Sequence, residues 1–69
     1  MGKNIGTVKW FNARRGFGFV ADESGAEYFV HYSDIQMDGF KILRIDQKVE
    51  FIPGEDERGR TVAYEVMPV

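Results

Sequence analysis

Cysteine is absent from the 69 residues, which excludes a disulfide framework and any thiolate-bound metal. Histidine occurs once, as His31, so no second imidazole can complete a metal site or a catalytic pair. Ser33 and Asp34 stand side by side without a base in any recognisable nucleophilic arrangement. The glycines of G-F-G-F, residues 16 to 19, lack the spacing and the lysine-serine ending of a phosphate loop. These absences point away from an enzyme and imply neither a cofactor, a metal nor a small-molecule substrate. Long apolar runs are missing too: the start, MGKNIGTVKW, holds no stretch fit for a signal peptide, and nothing approaches transmembrane length. Gly6 stands where a myristoylation motif needs Ser or Thr. The expectation is a soluble cytoplasmic protein with no membrane partner.

A basic excess is also lacking, with nine Lys and Arg against eleven Asp and Glu. The charge is nevertheless segregated. Residues 1 to 20 carry Lys3, Lys9, Arg14 and Arg15 and no acid, whereas residues 21 to 40 carry Asp22, Glu23, Glu27, Asp34 and Asp38 and no Lys or Arg. Bulk electrostatics therefore offers no case for nucleic acid, and any such function must rest on local geometry.

What the chain does have is aromatic and β-branched residues in short runs. I-G-T-V-K-W-F-N, F-G-F-V-A-D, E-Y-F-V-H-Y, K-V-E-F-I-P and T-V-A-Y-E-V predict five strands, over residues 4–12, 16–22, 27–32, 48–53 and 60–67. Turn-forming D-E-S-G-A-E separates the second and third. S-D-I after the third predicts one helical turn capped by Ser33. A chain this short predicts one domain over 1–69, and five strands without a helix to cover their edges favour a barrel.

Period two gives two face assignments for strands two and three. In the first, Val20 and Val30 point inward, leaving Phe17, Phe19, Phe29 and His31 on the outside of adjacent antiparallel strands. In the second, the phenylalanines fill the core, which buries His31 and turns both valines to water. The outward assignment creates an exposed aromatic patch, the mark of a binding surface. Unpaired nucleobases suit it, because every base has a π face and stacking contributes about 1–3 kcal/mol per base. Lys9, Arg14, Arg15, Lys41 and Arg58 are then candidates for phosphate contacts, with a solvated charge the plain alternative for each. Trp10 and Val8 would share a face under strict alternation, so a bulge is predicted near Lys9.

G-T-V-K-W-F-N-A-R-R-G-F-G-F-V and E-Y-F-V-H-Y-S-D-I resemble the two nucleic-acid-binding motifs of the bacterial cold-shock proteins, K-W-F-N followed by K-G-[FY]-G-F-I, and V-F-V-H-F. I-Q-M-D-G-F-K-I-L is similar to that family's loop I-x-G-x-G-F-K-x-L. The resemblance implies a five-stranded antiparallel OB-fold barrel that binds single-stranded RNA and DNA and acts as an RNA chaperone. By position, Trp10, Phe17, Phe19, Phe29, His31, Tyr32 and Phe40 would form the stacking platform, bordered by Lys9, Arg15 and Arg58. A monomer is the default, and a peptide-binding β-barrel using the same aromatic face is the alternative.

Several positions depart from the family pattern. Arg15 replaces a lysine, Tyr28 a core valine whose ring must now place a hydroxyl, Tyr32 a phenylalanine and Met37 a loop glycine. G-R-T-V-A stands for G-P-Q-A, with Arg60 either extending the basic border or sitting in solvent. Phe11 is open between core and platform edge, and Asn12 and Glu27 between base contacts and a local structural role.

Overall fold

The computed structural model describes residues 3–36 and 42–69. The five strands are β1 (Asn4–Asn12), β2 (Phe17–Asp22), β3 (Glu27–His31), β4 (Lys48–Glu55) and β5 (Thr61–Pro68). They close into a barrel in the order β1-β2-β3-β5-β4. The expected OB-fold barrel is present with one correction. Four of its five seams are antiparallel, but β3 and β5 run parallel, at Phe29 opposite Val62. An odd number of strands cannot alternate in direction all the way round a closed ring, so one seam must be parallel.

A 3₁₀ turn follows β3 over Tyr32–Asp34. Its cap is His31 rather than Ser33: the His31 imidazole Nδ1 accepts from the Ser33 backbone N–H at 3.3 Å. The chain leaves β3 one residue earlier than predicted, which moves the cap position back onto the histidine.

Val8, Val20, Val30, Val49, Phe51 and Val66 are fully buried and line the barrel with Tyr28, Ile35, Leu43 and Ala63. Each such valine contributes about 1.5–3 kcal/mol on leaving water. Because Val20 and Val30 are inside, the neighbours of opposite parity face out, and the first of the two face assignments is the one adopted. Phe11 lies half-buried against the core.

Two irregularities adjust the faces. In the β1–β2 ladder Val8 pairs with Val20 but Trp10 pairs with Phe19, so Lys9 is the extra residue of a bulge. That bulge, as expected, frees Trp10 to point outward although Val8 points in. A second shift, between Glu50 and Ile52, is taken up on β5, where Glu65 adopts a φ of 50°. Tyr28 solves its hydroxyl problem by donating to the Asp22 carboxylate Oδ2 at 3.0 Å while its ring packs on Phe51, centroids 4.9 Å apart.

Candidate nucleic-acid interface

Phe17, Phe19 and Phe29 sit on the outer face of β2 and β3 because their neighbours Gly18, Val20 and Val30 are committed to the interior. Phe19 pairs directly with Phe29 across the ladder, and Phe17 with His31. The bulged Trp10 joins from β1. The result is a ring of four aromatics: Trp10–Phe17 5.7 Å, Phe17–Phe29 5.7 Å, Phe29–Phe19 5.8 Å and Phe19–Trp10 5.6 Å between centroids. Their planes are tilted or edge-on rather than parallel, at 32° to 74°. Such pairs hold one another through their quadrupoles and leave outer ring surface for other π systems. Trp10 keeps 40% of its surface exposed, which is high for the largest apolar side chain.

The glycines between the phenylalanines have separate reasons. A side chain at Gly18 would collide with the Trp10 carbonyl and with Phe11, so β1 can cross β2 at the bulge only over a residue without Cβ. Gly16 has φ of 76°, and the Tyr32 ring lies where its Cβ would be. The backbone seals that contact, with the Tyr32 N–H donating to the Gly16 carbonyl at 2.7 Å. Tyr32, 50% exposed, is thereby held beside His31, ring centroids 4.7 Å apart. The His31 Nδ1 also lies 2.9 Å from the Ser33 hydroxyl, so its ring orientation is fixed from the rear.

Six of the expected platform residues are thus brought together on one wall: Trp10, Phe17, Phe19 and Phe29 as the quartet, with His31 and Tyr32 adjoining it. Phe40 lies outside the described residues, as do Met37 and Lys41. Lys9 is exposed at the bulge next to Trp10. Arg15 is exposed in the β1–β2 turn, where the Asn12 carboxamide Oδ1 accepts from the Arg14 and Arg15 N–H groups at 3.0 Å each. Asn12 therefore has the local structural role. Arg58 lines a cleft with Glu55, Asp56, Glu57, Arg60 and Tyr64, where three of its neighbours are acidic.

The guanidinium that reaches the aromatics is that of Arg60, 5.8 Å above the Phe29 centroid. Alternation and charge alone had left it between the border and solvent. The parallel pairing of Phe29 with Val62 is what brings it there, two residues before that bridge on β5. Among the described residues no cluster of three or more His, Asp or Glu side chains is suited to a metal, and no helix is long and apolar enough to cross a membrane.

Comparison with known proteins agrees with this geometry. Residues 4–69 match the model of the 'Cold-shock' DNA-binding domain. The chain is 58% identical over 55 residues to a probable cold shock protein A of Mycolicibacterium smegmatis, covering 78% of this chain and 82% of that one. It is 55% identical over 58 residues to the cold shock protein CspC of Bacillus subtilis, covering 84% and 88%. Among solved structures, Drosophila Unr CSD456 superposes with a TM-score of 0.77 at 25% identity over 97% of this chain. The present chain spans only 26% of that one. With barrel, motifs and relatives in agreement, the chain belongs to the cold-shock domain family of nucleic-acid-binding proteins.

Proposed function

We propose that this protein binds single-stranded RNA and DNA by stacking unpaired bases on Trp10, Phe17, Phe19, Phe29, His31 and Tyr32, and acts as an ATP-independent nucleic-acid chaperone. The observation that carries the reading is the outward-facing aromatic quartet on a barrel whose net charge is −2. A surface with that charge cannot gather phosphates by bulk attraction, so affinity comes from ring stacking, with Lys9, Arg15 and Arg58 adding local contacts. Bases inside a duplex hide their faces and offer this wall nothing. A protein that binds only the open strands shifts melting by RT ln(1 + [L]/Kd), about 2.7 kcal/mol at a hundred times Kd. That opens weak hairpins without an energy source. One bound monomer suffices for the mechanism, and the cytoplasm is where its substrates are made.

The test uses Trp10, the only tryptophan, as its own reporter. Its fluorescence is titrated with oligothymidine, the matching duplex and a proline-rich peptide. The expected result is a response to the single strand alone, with affinity falling about fivefold or more in Phe17→Ala and Phe29→Ala variants that still fold. The slope of log K against log salt should be shallow, at about 0.7 per phosphate neutralised. A response to the peptide with none to the single strand would transfer the aromatic face to a protein partner.

A further inference from the structure

Beside the quartet lies an open cleft lined by Phe19, Glu27, Phe29, Gly59, Arg60 and Thr61. Three features of Arg60 set it apart from an ordinary surface charge. Its guanidinium carbon stands 5.8 Å from the Phe29 ring centroid, within reach of the edge of a base laid on the open part of that ring. It is held there, because the Nε–H donates to the Asp56 carboxylate Oδ2 at 2.7 Å. Asp56 is itself tied down, accepting from the Arg58 and Arg60 N–H groups at 2.9 Å each. With Nε engaged, the two Nη groups remain as a planar pair of donors, and they make no hydrogen bond among the described residues.

From this arrangement we infer that Arg60 is a base-reading residue, selecting guanine at the position that stacks on Phe29. The inference rests on the single-strand reading above. Two parallel donors match the adjacent O6 and N7 acceptors of guanine, the pairing that arginine makes best. Glu27 lines the same cleft and carries acceptors only, which suits the N1–H and amino group on guanine's other edge. The same carboxylate repels a phosphate, so the cleft favours a base edge over the backbone. Uracil and thymine present no adjacent acceptor pair to Arg60. Asp56 is a positioning residue in this scheme, since it touches the guanidinium and not the base.

The experiment measures anisotropy of labelled heptathymidine and of heptamers in which one guanine is walked through the seven positions. At one position the wild-type protein should bind about fivefold or more tighter than to heptathymidine. Replacing that guanine with 7-deazaguanine, which lacks the N7 acceptor, should remove most of the gain. Arg60→Lys keeps the charge but loses the fork, so it should bind heptathymidine within about twofold of wild type and show no guanine preference. Equal affinity for all heptamers would overturn the inference while leaving the stacking reading intact. So would an equal loss for thymine and guanine strands in Arg60→Lys, which is the signature of a phosphate contact. Failure of the folded protein to bind any heptamer would overturn both.

Discussion

Two of the three hairpin turns of the barrel are built on one pattern and serve opposite sides of it. D-E-S-G-A, residues 22 to 26, joins β2 to β3, and D-E-R-G-R, residues 56 to 60, joins β4 to β5. In each the aspartate carbonyl accepts from the glycine N–H at 3.0 Å, and its Oδ1 accepts from the N–H groups two and four residues on. Each glycine has positive φ, 91° at Gly25 and 80° at Gly59. The Ser24 hydroxyl adds a bond to Asp22 Oδ1, and the larger difference lies in the second carboxylate oxygen. Asp22 Oδ2 takes the hydroxyl of Tyr28, whose ring is in the core, whereas Asp56 Oδ2 takes the guanidinium of Arg60 beside the aromatic platform. The same local device thus anchors the interior at one turn and holds a guanidinium beside the exposed aromatics at the other.

The comparison can be broken with Asp22→Ala and Asp56→Ala. Asp22→Ala should give the larger fall in thermal midpoint, because it removes the turn bonds and orphans the Tyr28 hydroxyl at the rim of the core. Asp56→Ala should cost less stability and instead loosen Arg60, lowering discrimination between guanine and thymine strands. Thermal melts and heptamer titrations on both variants check this, and equal effects on both readouts would dissolve the distinction.

Tyr28→Phe isolates the inward branch. It should destabilise by about 1 kcal/mol, and its effect should nearly vanish in an Asp22→Ala background, which a double-mutant cycle in urea measures.

Titration sharpens the same contrast. The Ser24 hydroxyl, followed by the Tyr28 hydroxyl and the turn N–H groups, holds the Asp22 carboxyl below the ordinary carboxylate value. The Arg60 backbone N–H, with the Arg60 guanidinium and the Arg58 N–H, does the same for Asp56. A depressed carboxyl stabilises the fold fully above its unfolded value of about 3.9 and loses that contribution as pH falls through its folded value. Tyr28 behaves inversely. Its hydrogen bond to Asp22, with burial and the nearby negative charge, raises the phenol above 10.0. A raised phenol stabilises below its unfolded value and loses this as pH climbs through the folded one. Midpoint against pH should therefore be level between about pH 5 and 9 and fall on both sides. Tyr28→Phe should reduce the alkaline fall, and Asp56→Asn should reduce only the acid one.

The smallest expected effect is the most symmetric. Gly25→Ala and Gly59→Ala should each cost about 1 kcal/mol from left-handed backbone alone, since neither new methyl meets an atom closer than 3.8 Å. A marked inequality in urea midpoints would show that the two turns are not the same local structure.

Much of this was legible in the residues. The alternation of F-G-F-V with Y-F-V-H divides one backbone into an aliphatic and an aromatic side, and the conflict between Val8 and Trp10 demanded the bulge at Lys9. Asn12 and His31 were less so, because a polar side chain beside a turn can serve the turn or a ligand equally well. Arg60 stayed open between the basic border and solvent. Its neighbours in sequence are turn residues, and its neighbour in space, Phe29, lies 31 positions away on a strand that β5 meets only through the parallel seam.

By itself the sequence determined what depends on near neighbours: five strands, the D-E-S-G-A-E turn, which residues of β2 and β3 share a side, and the kinship those motifs carry. Period-two geometry and turn chemistry act over a few residues, so a short stretch contains all the information they need. Tertiary structure alone decided the parallel closure of β3 on β5, the delivery of Arg60 to Phe29, and which of two equivalent aspartates would face the core. Those outcomes follow from closing an odd number of strands into a ring, a constraint that only the whole chain can impose.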